Sequence, residues 1–177
     1  LTKNNIDINF ETVEEVENEE NSKEKMPKDV MKSFVLILAS IVFWFMGYNA
    51  ATSKFAVYAT DVLNTGYSLP LLVAQGAAII SYLPIGMLAS KFGRKKTILL
   101  GICELFTAFV LATFTTSETA FLMYAVMALA GIGWATINVN SYPMVVEMAK
   151  SGNVGKYTGI YYTASMSAQI LTPVLSG

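Results

Sequence analysis

Four stretches of this sequence are long and carry no charged side chain: residues 33–53, 62–90, 119–146 and 157–177. A fifth, residues 97–117, is interrupted only by Glu104. A bilayer core about 30 Å thick is spanned by about 20 apolar residues in a helix, so each stretch is long enough to cross. None shows the strict alternation of a barrel strand. In lipid, a continuous apolar run must satisfy its backbone hydrogen bonds internally, which leaves the helix. We therefore place helices at about 33–59, 69–90, 97–116, 120–146 and 158–177 and expect an all-α, polytopic membrane bundle of about five transmembrane helices.

The basic residues orient that bundle. Eleven of the twelve lie in three places. Lys3, Lys23, Lys25, Lys28 and Lys32 precede the first helix; Lys91, Arg94, Lys95 and Lys96 link the second and third; Lys150 and Lys156 link the fourth and fifth. The links around residues 64–66 and 116–118 carry none. Basic segments stay in the cytoplasm, and five crossings put all three on that side. The expectation is a multi-pass protein of the cell membrane. The first helix is too long for a cleaved signal, and four more follow.

Residues 1–29 hold nine acids and four bases, a net charge of −5, against +4 for residues 30–177. Residues 1–32 read as an acidic, largely disordered cytoplasmic linker, and residues 33–177 as a truncated transmembrane bundle. The initial Leu1 and the lack of a tail after the fifth helix point to a fragment.

Composition removes several classes of function. There is no His and one Cys, Cys103. Disulfide frameworks, Cys/His metal sites and His-based catalysis are excluded. No glycine-rich phosphate loop is present, so no cofactor and no enzymatic chemistry are expected. The bases are too few and scattered for a nucleic-acid partner. The lipid bilayer is the partner the sequence requires.

The second helix ends in Gly86-Met87-Leu88-Ala89-Ser90-Lys91-Phe92-Gly93-Arg94-Lys95-Lys96. Gly86 permits close approach of a neighbouring helix, and Gly93 a tight reversal. This segment resembles the signature loop of the major facilitator superfamily. Gly86, Leu88, Ala89, Gly93, Arg94 and Lys95 match it, Lys91 is conservative, and Ser90 stands where the family has Asp. The resemblance implies that this Asp belongs to a charge-relay latch, which Ser90 cannot reproduce. Residues 138–148 (Asn138-Val139-Asn140-Ser141-Tyr142-Pro143-Met144-Val145-Val146-Glu147-Met148), 155–162 and 43–50 look like the second half of bacterial sugar-transporter-like members. That branch is similar to sucrose/maltose symporters and to glycoside–pentoside–hexuronide carriers. The resemblance implies a half-bundle with helices seven to eleven of twelve, a missing other half, and residues 1–32 as the central loop. Helices one to five are the alternative register.

The resemblance also implies that the first and fourth helices line a central cavity, with substrate near the midplane. At 1.5 Å per residue, Trp44 lies about 18 Å in, Asn138 about 13 Å and Gln169 about 20 Å. Gly131, Trp134, Asn138 and Ser141 recur every three or four residues and share one face. Phe45, Asn49 and Thr52 form a similar stripe beside Trp44 and Tyr48, and Gln75 is the only amide of the second helix. Rings that stack on C–H faces, with amides that donate and accept, suit a polyol. The predicted substrate-binding set is therefore Trp44, Asn49, Gln75, Trp134, Asn138 and Gln169, with interhelical hydrogen bonding as the competing role. Asn140 points elsewhere and reads as interhelical glue.

Charges inside a membrane are functional by default. Glu104, about 12 Å past Lys96, is a candidate proton carrier, or a carboxyl that neutralises itself at the periphery. Lys54 either snorkels to the outer surface or binds an acidic substrate. The family pairs the positions of Arg94 and Glu147, so an ion pair is expected there, with Lys156 as a second partner. The predicted cytoplasmic gate is Gly86, Ser90, Gly93, Arg94, Lys95, Glu147 and Lys156. Ala74/Ala78 and Ala77/Ser81 follow the small-xxx-small rule, and Pro84, Pro143 and Pro173 are candidate kinks. The function implied is secondary active transport of a small polar solute, a sugar or glycoside, by alternating access. The solute would move by symport, driven by a proton or sodium gradient. The alternatives are an exporter of apolar compounds and a non-transporting sensor or scaffold.

Overall fold

The computed structural model describes residues 28–148 and 154–176. Among the described residues there are five helices: α1 Lys28–Asp61, α2 Ser68–Phe92, α3 Arg94–Thr113, α4 Leu122–Val146 and α5 Val154–Leu175. No strand occurs among the described residues. Helices α1 to α4 are long and apolar enough to cross a membrane. The fifth expected crossing, α5, has 22 residues but is more polar, with Tyr, Thr, Ser and Gln along its length.

Helix α1 begins at Lys28, so residues 28–32, expected in the linker, are helical. Lys28 and Lys32 favour water yet are good helix formers, so hydropathy marks the lipid edge and not the helix end. The rest of the acidic segment lies outside the described residues. The basic loop expected at 91–96 is shorter, since only Gly93 separates α2 from α3. Its φ of 88° is the left-handed region that glycine occupies without cost. Its N–H donates to Ala89 O at 2.9 Å, and its carbonyl accepts from Thr97 N at 3.2 Å.

Specific contacts set the helix directions. Arg94 meets Glu147, bringing the ends of α2 and α4 together. Tyr58 O–H donates to Ala112 O at 2.8 Å, joining the far ends of α1 and α3. Phe34 meets Tyr157 edge-on at 5.1 Å, joining the starts of α1 and α5. Helices α1, α3 and α5 thus run away from one end of the bundle, and α2 and α4 return to it. Among the described residues, every Lys and Arg except Lys54 lies at that basic end.

Helix α4 is the hub, packed on α2 along one side and α3 along the other. Gly131 and Gly133, two residues apart and so about 200° around the helix, serve one side each. A Cβ on Gly131 would come within 2.7 Å of Ala74 C, inside α2. A Cβ on Gly133 would lie 3.0 Å from Leu105 N, and one on Gly101 would lie 2.9 Å from Thr136 Cβ. Two positions correct the sequence reading. Gly131 belongs to a helix crossing, not a solute-facing stripe. Gly86, expected at a close approach, has nothing within 4 Å of an added Cβ. Of the small-residue pairs, Ala74 and Ala78 are buried, while Ala77 and Ser81 are half-buried. Pro84, Pro143 and Pro173 lie inside helices that continue through them.

Candidate functional site

Helices α1, α2, α4 and α5 enclose a recess of about 290 Å³. Helix α4 contributes Trp134, Asn138 and Tyr142, and α5 contributes Tyr161, Ser165 and Gln169. Tyr82 and Phe45 close it from α2 and α1. The spacing of three or four residues on α4 and α5 explains why these side chains share a wall.

The polar atoms are organised by Tyr161. Its O–H lies 3.2 Å from Asn138 Oδ1 and 3.2 Å from Ser141 Oγ. The Tyr161 hydroxyl hydrogen serves Asn138 Oδ1, and Ser141 Oγ, 3.2 Å from both Tyr161 Oη and Asn138 O, has one hydrogen for the two. The Asn138 amide N–H group has no partner among the described residues. The Trp134 indole lies between two tyrosines, 6.2 Å from Tyr48 and 6.3 Å from Tyr82. The wall therefore offers aromatic faces with amide and hydroxyl groups between them, and no charge.

Three of the six predicted binding residues, Trp134, Asn138 and Gln169, meet in this recess. The other three do not line it. Trp44 faces a separate groove with Ile98, Ile102 and Ile137, because a residue one position from Phe45 points about 100° away. Asn49 sits one turn beyond Phe45 and donates its amide to Phe45 O at 2.7 Å. Gln75 is exposed, two turns along α2 from Tyr82. Ser141 is buried under Tyr161. Asn140 is 2% exposed and donates to Thr136 O at 2.7 Å, a bond within α4 and not the interhelical one expected. The sequence reading missed Tyr82, Tyr142, Tyr161, Tyr162 and Ser165 as lining residues. Their signal was hydroxyl-bearing residues deep within otherwise apolar runs.

At the basic end, Arg94 Nη2 lies 2.5 Å from Glu147 Oε1, forming the expected ion pair. Through Arg94, the first residue of α3, Glu147 offsets part of the positive charge carried by that helix's first turn. Lys156 is exposed and forms no ion pair with Glu147. Ser90 donates to Gly86 O at 3.0 Å within its own helix, and Lys95 is exposed.

Two charged positions remain. Lys54 lines an apolar cavity of about 250 Å³ with Phe55, Tyr58 and Phe109, far from the basic end. Glu104 lies midway along α3, with Oε2 3.1 Å from Thr136 Oγ1 on α4. No group of three or more metal-ligating side chains occurs among the described residues.

Long apolar helices that alternate in direction, with bases at one end and an uncharged polar recess between them, define a membrane-embedded bundle. The sequence profile of the Major Facilitator Superfamily matches residues 9–177. The chain belongs to that superfamily and is one of its membrane transporters. No curated protein and no solved structure matches it.

Proposed function

We propose that this protein carries a sugar or glycoside across the cell membrane by alternating access, driven by a proton or sodium gradient. The observation that carries the reading is the convergence of Trp134, Asn138 and Gln169 on one uncharged recess with four tyrosines and Ser165. Indole and phenol faces stack on sugar C–H surfaces. The free N–H of Asn138 and the tyrosine hydroxyls exchange hydrogen bonds with hydroxyl groups. A site that offers hydrogen bonds rejects solutes that cannot return them, because its polar groups are then left unpaired.

In this reading the basic end is cytoplasmic, residues 1–32 are a cytoplasmic segment, and α5 makes a fifth crossing. Its Tyr161, Tyr162, Ser165 and Gln169 face the recess. The Arg94–Glu147 pair, with side chains 34% and 60% exposed, acts as a latch at that end. Pairs this exposed contribute about 0–1 kcal/mol, which suits a contact that must break in each cycle. Ser90 takes no part in it.

The test is uptake of a labelled sugar panel by vesicles containing the full-length protein, with and without proton and sodium gradients. The reading expects at least one sugar or glycoside to accumulate above its equilibrium level under one gradient. It also expects Asn138→Ala to reduce that uptake at least tenfold. Failure of every sugar and glycoside, or uptake unaffected by Asn138→Ala, would contradict it.

A further inference from the structure

The cavity of about 250 Å³ beside Lys54 is lined by α1, α2, α3 and α4, toward the end away from the basic loops. On α1 its wall is Tyr48, Ala51, Thr52, Phe55 and Tyr58, spaced so that they share one face. Each of the four helices turns an alanine to the space: Ala51, Ala74, Ala112 and Ala130. Protein interiors leave few voids larger than a water molecule, and these short side chains keep this one open.

Three hydroxyls of the wall are engaged with backbone carbonyls. Thr52 donates to Tyr48 O at 3.0 Å, Thr113 to Val110 O at 2.7 Å and Tyr58 to Ala112 O at 2.8 Å. The surface left is mostly apolar, unlike that of the recess around Asn138. A polyol would leave its hydroxyl groups unpaired here. Of the lining residues, Lys54 and Thr113 are exposed and the others are half-buried or buried, so these two mark the mouth. The Lys54 ammonium has three N–H donors, enough to serve an anion beside another acceptor. Every other described Lys and Arg lies at the opposite end, and the charge bias of membrane proteins keeps bases away from this side. Snorkelling explains why the ammonium reaches outward, but not the apolar cavity at the foot of its stem.

We propose that this cavity binds a medium-chain fatty acid, with the carboxylate at Lys54 and the chain inside. One cation at the mouth matches one negative charge, and Asp61 and Glu118 at the same end disfavour a more highly charged head. Lys54 and Tyr48 are six residues apart, about 9 Å along α1. An extended chain advances roughly 1.2 Å per bond, so the space between them takes about eight carbons. A cavity of about 250 Å³ holds one such chain and not the two of a phospholipid. The far end of the chain rests against Tyr48, whose ring lies 6.4 Å from Trp44 and 6.2 Å from Trp134. The site is separate from the recess and independent of what the recess carries.

The test uses 8-bromooctanoate, whose bromine quenches tryptophan fluorescence at short range. It is titrated at about pH 7.5 into the full-length protein in phosphatidylcholine vesicles, with every tryptophan except Trp44 and Trp134 replaced by Phe. Saturable quenching is expected, reversed by excess octanoate. The uncharged 8-bromooctanol should bind at least tenfold more weakly. Lys54→Gln should raise the dissociation constant for 8-bromooctanoate at least tenfold, whereas Lys32→Gln, at the other end of α1, should leave it unchanged. Ala51→Phe fills the cavity while keeping Lys54, and should abolish saturable quenching. Quenching that rises linearly and is not reversed by octanoate would be partition into bulk lipid only, and would overturn the site. Equal affinity for the acid and the alcohol, or equal affinity in the parent and Lys54→Gln, would overturn it as well. A failure of the sugar panel leaves these readouts standing, so the two claims fail separately.

Discussion

Replacing Gly131 with Ala adds one methyl group at the tightest helix crossing. That methyl would collide with the Ala74 carbonyl oxygen and lie 2.7 Å from its carbon and 2.9 Å from Cα. All three atoms are backbone, so no rotamer change relieves the contact and α2 must move away from α4. Overpacking of this kind costs about 1–3 kcal/mol, and the rigid obstacle places Gly131→Ala at the upper end. Gly86→Ala is the internal control. Its Cβ meets nothing within 4 Å, and exchanging a helical Gly for Ala gains about 0.5–1 kcal/mol. The two substitutions have the same chemistry and opposite predicted signs, separated by about 3–4 kcal/mol. Thermal unfolding of the purified full-length protein in detergent reads the difference. At about 2–4 °C per kcal/mol for a chain of this size, Gly131→Ala lowers Tm by about 5–10 °C, and Gly86→Ala leaves it level or raises it slightly. Equal Tm values for Gly131→Ala and the parent would refute the crossing.

Tyr161→Phe removes the hydroxyl shared by Asn138 and Ser141, at a stability cost of about 1 kcal/mol. Solute affinity should fall more than the maximal rate, and a change confined to the maximal rate would argue against Tyr161 as an organiser of the recess. Reversing only Arg94 to Glu should impair transport, and the double exchange Arg94→Glu with Glu147→Arg should restore part of it. Each variant should change stability by no more than about 1 kcal/mol, as befits a half-exposed pair; absence of rescue in transport assays would count against the latch.

Uncharged run length was enough to locate all five helices, because the bilayer imposes one solution on a long apolar stretch. Their ends were less legible. Lys28 and Lys32 continue α1 past the lipid edge, whereas Phe114 ends α3 short of the predicted residue 116. Spacing on α4 grouped Trp134 with Asn138, and both line the recess because they lie on one face, one turn apart. It misassigned Gly131 and Ser141, because a stripe does not reveal where solute-facing surface gives way to a neighbouring helix. The roles of Gly131, Gly101 and Gly133 depend on α2 and α3 as partners. The tyrosines from α2 and α5 were missed for the same reason: four helices assemble the recess, and no single helix contains its pattern.

Threading of the chain through lipid, with its bases gathered at one surface, is the claim beneath every functional statement above. Site-directed labelling in intact cells tests it most directly. Cys103 is first replaced by Ser, and single cysteines are placed at Gly66, Lys95, Ser117 and Lys156. A membrane-impermeant thiol reagent added outside should label Gly66→Cys and Ser117→Cys, and should reach Lys95→Cys and Lys156→Cys only after the cells are opened. Lys95→Cys and Lys156→Cys found on opposite surfaces would contradict the threading.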